Sequence, residues 1–140
     1  MAKTVTYLNP PSSTPPAGMY SHVARMVPGE LAFIAGQVAV DRSGASVGVG
    51  DVAAQVNQVF VNIGDLLRGL GADFEQIVQL TTYLTSADSI PAFMSARAAL
   101  YPKLFPGGTY PPNTLLVIDR LVKPEFLVEV AAIARVPGVV

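Results

Sequence analysis

An α+β domain, with two helices laid on one face of a mixed six-stranded sheet, is the fold class the sequence predicts. Three observations predict it. Strand-like and helix-like hydrophobic periods follow one another in the order β-β-β-α-β-α-β-β. The chain has 140 residues, the size of a single domain, with a Pro-rich arm at 1–18 included in it. Apolar residues make up 51% and charged residues 14%, where about 25% charged is ordinary. Helices cover only one sheet face, so this apolar surplus predicts that another copy of the chain covers the second.

Residues 3–7 read as a short edge strand. Asn9 to Gly18 holds four prolines, which exclude a helix and a central strand and leave an extended arm. Tyr20 to Val27 reads as a strand, and the Pro28-Gly29 turn predicts a hairpin with Leu31 to Ala35. Gly36-Gln37 interrupts that second strand, and Asp41 to Gly50 is a glycine-rich loop. From Asp51 to Leu70, Val52, Val56, Val59, Phe60, Ile63 and Leu67 recur at helical spacing, with Asp51 as N-cap and Gly71 as the residue that ends the helix. Gln55, Asn57, Gln58, Asn62, Asp65 and Arg68 fill its other side. Phe74 to Thr85 reads as a strand with Val78, Leu80, Thr82 and Leu84 toward the helices, and Ile77, Gln79, Thr81 and Tyr83 on the opposite face. Ile90 to Leu104 reads as a second helix, capped by Ser89 with Pro91 in its first turn and carrying Phe93, Met94, Arg97, Leu100 and Tyr101 in one stripe. Thr114 to Ile118 and Phe126 to Ala134 close the chain, and their nearness predicts an antiparallel pair.

Composition excludes several function classes. There is no cysteine, hence no thiolate nucleophile, disulfide or cysteine-bound metal. A single histidine, His22, rules out a multi-histidine metal site within one chain. Nine basic and ten acidic residues give a net charge of −1 without a basic run, which disfavours nucleic acid and anionic membranes as partners. No stretch approaches the roughly 18–20 apolar residues of a spanning helix, and Met1 to Tyr7 lacks the apolar run of a signal peptide. A cytoplasmic oligomer is the expectation.

Three places carry candidate chemistry. Glu129 shares a predicted strand face with Leu127, Ala131 and Ile133, where a carboxylate is costly unless it is paired, exposed or functional. Ala35-Gly36-Gln37 puts a glycine inside a strand, as a bulge or as a close backbone approach to a ligand. Tyr110-Pro111-Pro112-Asn113-Thr114 holds Asn113 and Thr114 at a strand mouth, where they either bind a ligand or cap a turn. Tyr20 and His22, two apart on a predicted strand, share a face; His22 is either a proton shuttle or an ordinary interface residue. Dinucleotide, P-loop and nucleophile-elbow motifs are absent.

In order and spacing these pieces resemble the RidA family, also called YjgF/YER057c/UK114, over about residues 18–135. Gly18-Met19-Tyr20 is similar to its Gly-Pro-Tyr. Phe33-Ile34-Ala35-Gly36-Gln37 is similar to its hydrophobic-Ser-Gly-Gln strand. Gln55, Asn62 and Gly71-Ala72 are similar to its Gln…Asn…Gly-Ala pattern, and Leu127 to Ala134 to its closing Val-Glu-Ile-Glu-Ala-Ile-Ala strand. The resemblance implies a chorismate-mutase-like fold, a homotrimer with ligand clefts between subunits, and hydrolysis of reactive enamines and imines to 2-keto acids and ammonia without metal or organic cofactor. It implies Glu129 as the catalytic carboxylate that positions water, and Tyr20, Ala35, Gly36, Asn113 and Thr114 as substrate-binding positions.

The chain departs from the family pattern where Pro-Ala-Arg-Ser aligns with Pro111-Pro112-Asn113-Thr114. Asn113 cannot supply the charge of the arginine that clamps a substrate carboxylate. Ala35 replaces the family serine, and Ala98 falls near a frequent asparagine. Either another arginine (Arg120, Arg97 or Arg25) enters the cleft from a neighbouring subunit, or neutral hydrogen bonds to Asn113 and Thr114 hold a different ligand. The second is expected here and predicts a pocket with no guanidinium in reach. The function expected is a small-molecule hydrolase of the imine/enamine deaminase kind with altered substrate range. The alternative is a non-catalytic trimeric binder of a small metabolite, and an endoribonuclease ranks last on charge.

Overall fold

The computed structural model describes residues 2–138. Its elements are β1 (Val5–Leu8), β2 (Val23–Met26), β3 (Glu30–Gln37), α1 (Val52–Gly69), β4 (Ile77–Leu84), α2 (Ile90–Leu104), β5 (Asn113–Val117) and β6 (Val128–Val136), with single 3₁₀ turns before β4 and α2. The α+β class and the order of elements are those predicted. The six strands divide into a two-stranded sheet, β1-β2, and a four-stranded sheet, β3-β6-β4-β5.

The strand partners differ from the expected hairpins. β2 pairs antiparallel with β1, Val5 opposite Met26, rather than with β3. Pro28 has no N–H to give a ladder, and the Arg135 side chain occupies the turn, donating to the carbonyls of Val27 (3.0 Å) and Pro28 (2.8 Å). β5 does not pair with β6. It lies parallel to β4, Leu80 opposite Asn113, because α2 forms the crossover that parallel neighbours require. β6 runs antiparallel between β3 and β4. It suits the centre because Val128, Val130, Ala132, Ala134 and Val136, its inward residues, are all apolar and buried.

The helices cover one face of this sheet. Asp51 accepts the Ala54 N–H at 3.0 Å as the N-cap of α1, and Gly71, at φ +71°, supplies the left-handed residue that follows. Ser89 makes no side-chain cap on α2; Ser86 caps the 3₁₀ turn before it instead. In β4 a register break between Ile77 and Gln79 shifts the expected phase, so that Ile77 as well as Leu80 is fully buried and Val78 only partly. Periodicity puts Gln55 on the solvent side of α1, but it is buried. Its amide donates to the carbonyls of Gly48 (3.1 Å) and Glu125 (2.8 Å) and accepts from the Leu127 N–H (2.8 Å). Asn62 likewise donates to the carbonyls of Val38 and Val40. These two polar residues of α1 hold the loops that lead into and out of the sheet.

The opposite sheet face is open. Leu31, Phe33 and Leu116 are exposed there, Phe33 by 74%. The proline arm folds back on the domain: Asn9 accepts the His22 backbone N–H at 2.7 Å, and His22 Nε2 lies 2.6 Å from the Thr14 carbonyl. That contact uses His22 as a fastening for the arm.

Candidate functional site

The sequence candidates gather at two places. The first is on the open sheet face. β6 projects Glu129 there, opposite Tyr83 of β4. On the other side the β3–β6 register slips by one residue between Ile34 and Gln37, so Ala35-Gly36 is a bulge. Gly36 is also a close approach: a Cβ added to it would lie 2.0 Å from Glu129 Oε1 and 2.6 Å from Cδ. Gly36 is not in the left-handed region, so space, not backbone conformation, requires a glycine. The Ala35 carbonyl within the bulge accepts the Gln37 side-chain amide at 3.0 Å. Among the described residues no ion pair engages Glu129, which is only partly buried. Its carboxylate rests over Gly36 without a protein counter-charge.

The second place is a pocket of about 350 Å³ at the edge where β5 meets α2. Gly18, Tyr20, Met94, Arg97, Asn113 and Thr114 line it. Tyr20 precedes β2 rather than lying in it. Its hydroxyl accepts the Ala17 N–H at 3.2 Å, and its ring meets His22 edge to face at 5.7 Å. Asn113 opens β5 on the helix side. Its Oδ1 accepts the hydroxyl proton of buried Thr82 at 2.8 Å, which leaves the Nδ2 donors for the pocket. No Asp or Glu lines this pocket.

Arg97 overturns the expectation of a guanidinium-free pocket. It comes from the same chain as Asn113, not from a neighbour. It lies on the buried stripe of α2 between Phe93 and Tyr101, its guanidinium carbon 5.3 and 5.8 Å from their ring centres, and is 2% exposed. Nη2 contacts Met94 Sδ at 2.8 Å, while Nε is buried with no hydrogen-bond partner. A Cβ on Gly18 would come within 2.9 Å of Nη2. Burial without a counter-ion lowers the arginine's pKa from its ordinary value. The other two arginines weighed do not line this pocket: Arg120 donates to the carbonyls of Leu121 and Val122, and Arg25 is exposed on β2.

Arg97 was legible only as a charge inside an apolar stripe, four residues after Phe93 and four before Tyr101. Thr82, which orients Asn113, reads in the sequence as one more residue of a strand face. The Glu129 and Asn113 side chains leave opposite faces of the sheet, Glu129 on the open side and Asn113 on the helix side, while Thr114 carries the pocket round the β5 edge. No group of three metal-ligating side chains occurs among the described residues, and no helix of the described chain is long and apolar enough to cross a membrane.

Fold and site together define a helix-backed sheet protein with a donor-lined, metabolite-sized pocket at one sheet edge and an unpaired carboxylate on the uncovered face. Comparison with known proteins places it further. The family model described as Endoribonuclease L-PSP matches residues 11–136, and the chain belongs to this family, the Rid/YjgF group. A RutC family protein of Synechocystis is 32% identical over 106 residues, covering 75% of this chain and 78% of that protein. One from Pyrococcus abyssi is 29% identical over 134 residues, covering 96% and 98%. The crystal structure of a protein of the conserved Rid family from Yersinia pestis has a TM-score of 0.84 at 31% identity, covering 95% of this chain and 99% of that one.

Proposed function

We propose that this chain is a cytoplasmic small-molecule hydrolase of the imine/enamine deaminase kind, working in clefts between the subunits of a homotrimer. The observation that carries this reading is the Glu129 carboxylate, held over Gly36 on an uncovered sheet face with no charge among the described residues paired to it. A carboxylate so placed orients a water molecule toward the carbon of a C=N bond. The water oxygen bonds to that carbon, its protons pass through Glu129 to nitrogen, and the C–N bond breaks to give a carbonyl compound and ammonia. Tyr20, Asn113 and Thr114 bind the substrate from the second pocket. Because Glu129 and Asn113 leave opposite faces of one sheet, two copies serve one ligand: Glu129 and the Ala35-Gly36 bulge from one, the pocket from the next.

The test is ammonia release from 2-aminoacrylate generated in situ by a dehydratase. Wild type should exceed the spontaneous rate. Glu129→Gln should lower turnover by about a hundredfold or more, the worth of a positioned base, with the trimer intact. Turnover unchanged in Glu129→Gln removes the carboxylate from the mechanism. Ligand binding without turnover across a substrate panel would show a non-catalytic binder, and salt-sensitive RNA cleavage lost on mutating the pocket would show a nuclease.

A further inference from the structure

β1 and the turn before β4 enclose a further cavity of about 400 Å³, which shares no residue with the pocket at the β5–α2 edge. Lys3, Val5, Tyr7, Glu75, Gln76 and Thr109 are among its walls. Six consecutive residues, Ala2 to Tyr7, border it, which sets it along the edge of β1 that β2 leaves unpaired rather than over one face of the strand. Thr4 gives its carbonyl to the Val27 N–H at 3.0 Å, so by antiparallel alternation Val5 turns its own N–H and carbonyl away from β2.

Two opposite charges face this cavity. Lys3 Nζ and Glu75 Oε1 both lie beside the Cβ position that Gly107 lacks, at 3.2 and 3.9 Å, yet no ion pair among the described residues joins them. Separated charges are ordinary on a surface, where pairing gains little; these two differ in converging on one cavity. Glu75 is positioned by its backbone. Its N–H and that of Asp73 close a capping box, accepted by Asp73 Oδ1 and Gln76 Oε1 at 2.9 Å each, which leaves Gln76 Nε2 as a donor. Tyr7 turns its hydroxyl into the protein, donating to the Ile77 carbonyl at 2.7 Å, so with buried Val5 it offers the cavity an apolar wall. A placed carboxylate, an ammonium a few ångströms away and an apolar wall match one ligand chemistry, a small zwitterion with an apolar body.

We propose that this cavity binds a free apolar α-amino acid, whose ammonium meets Glu75, whose carboxylate meets Lys3 and whose side chain lies on Val5 and Tyr7. A side chain at position 107 would fill the point on which the two protein charges converge. The inference goes beyond the hydrolase reading and uses none of its residues, so amino-acid binding and ammonia release stand or fall separately.

The experiment uses the full-length assembled protein and calorimetry with three probes: L-leucine, L-leucinamide, which lacks the carboxylate, and 4-methylpentanoate, which lacks the ammonium. Wild type should bind leucine at least about tenfold more tightly than either analogue. Lys3→Met and Glu75→Gln should each weaken leucine by about tenfold to a hundredfold, the worth of hydrogen bonds to a charged group. The losses should be matched to the probes. Lys3→Met should no longer distinguish leucine from leucinamide, and Glu75→Gln should no longer distinguish leucine from 4-methylpentanoate. Asn113→Asp, in the other pocket, should bind leucine as wild type does. A wild type that binds leucine no better than the two analogues, or not at all, overturns the proposal. So does leucine binding that survives both charge removals but is lost in Asn113→Asp, which would put the amino acid at the β5–α2 edge.

Discussion

Gly36 and Glu129 form a pair in which the missing side chain of one makes room for the working side chain of the other. Gly36→Ala is the residue-scale test of that pairing. The new methyl group meets the far end of a flexible side chain, so the fold should survive with Tm nearly unchanged while the carboxylate is pushed aside. Misplacement by about 1 Å costs about a hundredfold in rate, and ammonia release should fall by that order; full activity in Gly36→Ala would show that Glu129 needs no fixed position. Asp41 supplies a pH test at the same scale. Its carboxylate accepts from the Ser43 hydroxyl (2.7 Å) and from the Ser43 and Ala45 N–H groups (2.9 and 3.1 Å), and chiefly the Ser43 hydroxyl bond lowers its pKa. A depressed folded pKa means that the turn is held above the ordinary aspartate value and released as pH falls through the lower folded one. The amide shifts of Ser43 and Ala45 should therefore titrate with a midpoint below that of an unstructured aspartate. A midpoint at or above it would contradict the contact geometry. The sequence showed the glycine in the strand and the carboxylate on the apolar face as separate oddities. That they touch depends on a bulge and a strand pairing, neither of which lies in local sequence.

At the scale of elements, periodicity located both helices and the order of all six strands, because each pattern is set by neighbours a few residues apart. It did not find strand partners. Short links at Pro28-Gly29 and between β5 and β6 look like hairpins locally, but partner choice is settled by which strand can be apolar enough for the sheet centre, and that is β6. The pattern also misread Gln55 and Asn62, because hydropathy scores an amide as solvent-facing even when loop backbone satisfies it. Gln55→Leu should strand two carbonyls and an N–H, each costing about 1–3 kcal/mol when buried. Denaturant unfolding should show a loss of about 3 kcal/mol, whereas Asn57→Ala on the exposed side of the same helix should change stability by less than about 0.5 kcal/mol. Equal losses at the two positions would mean that the amide of Gln55 does not fasten these loops. For Arg97 the helical stripe carried the signal, an arginine spaced between two aromatics. Its relation to Asn113 arises only where α2 crosses the mouth of β5.

At the scale of the whole molecule, part of the surplus of apolar residues lies on the open sheet face, where Leu31, Phe33 and Leu116 face outward around the Glu129 row. Composition anticipated that a face would be left uncovered, since two helices cannot enclose both sides of a sheet. If copies of the chain cover it, Phe33→Asp should take the assembly from about three times the 14.7 kDa chain mass to the monomer in sedimentation and abolish ammonia release, with helix content retained. A trimer unaffected by that change would place the contact elsewhere. The division of labour between two copies has the most direct test in subunit mixing. Glu129→Gln and Asn113→Asp proteins, each impaired alone, are dissociated together, reassembled and assayed for ammonia release from 2-aminoacrylate. Sites shared between neighbours predict that about a quarter of wild-type activity returns, from clefts that receive an intact Glu129 from one subunit and an intact Asn113 from the next. A reassembled mixture as inactive as its parents, beside an active wild type treated in the same way, would contradict the account.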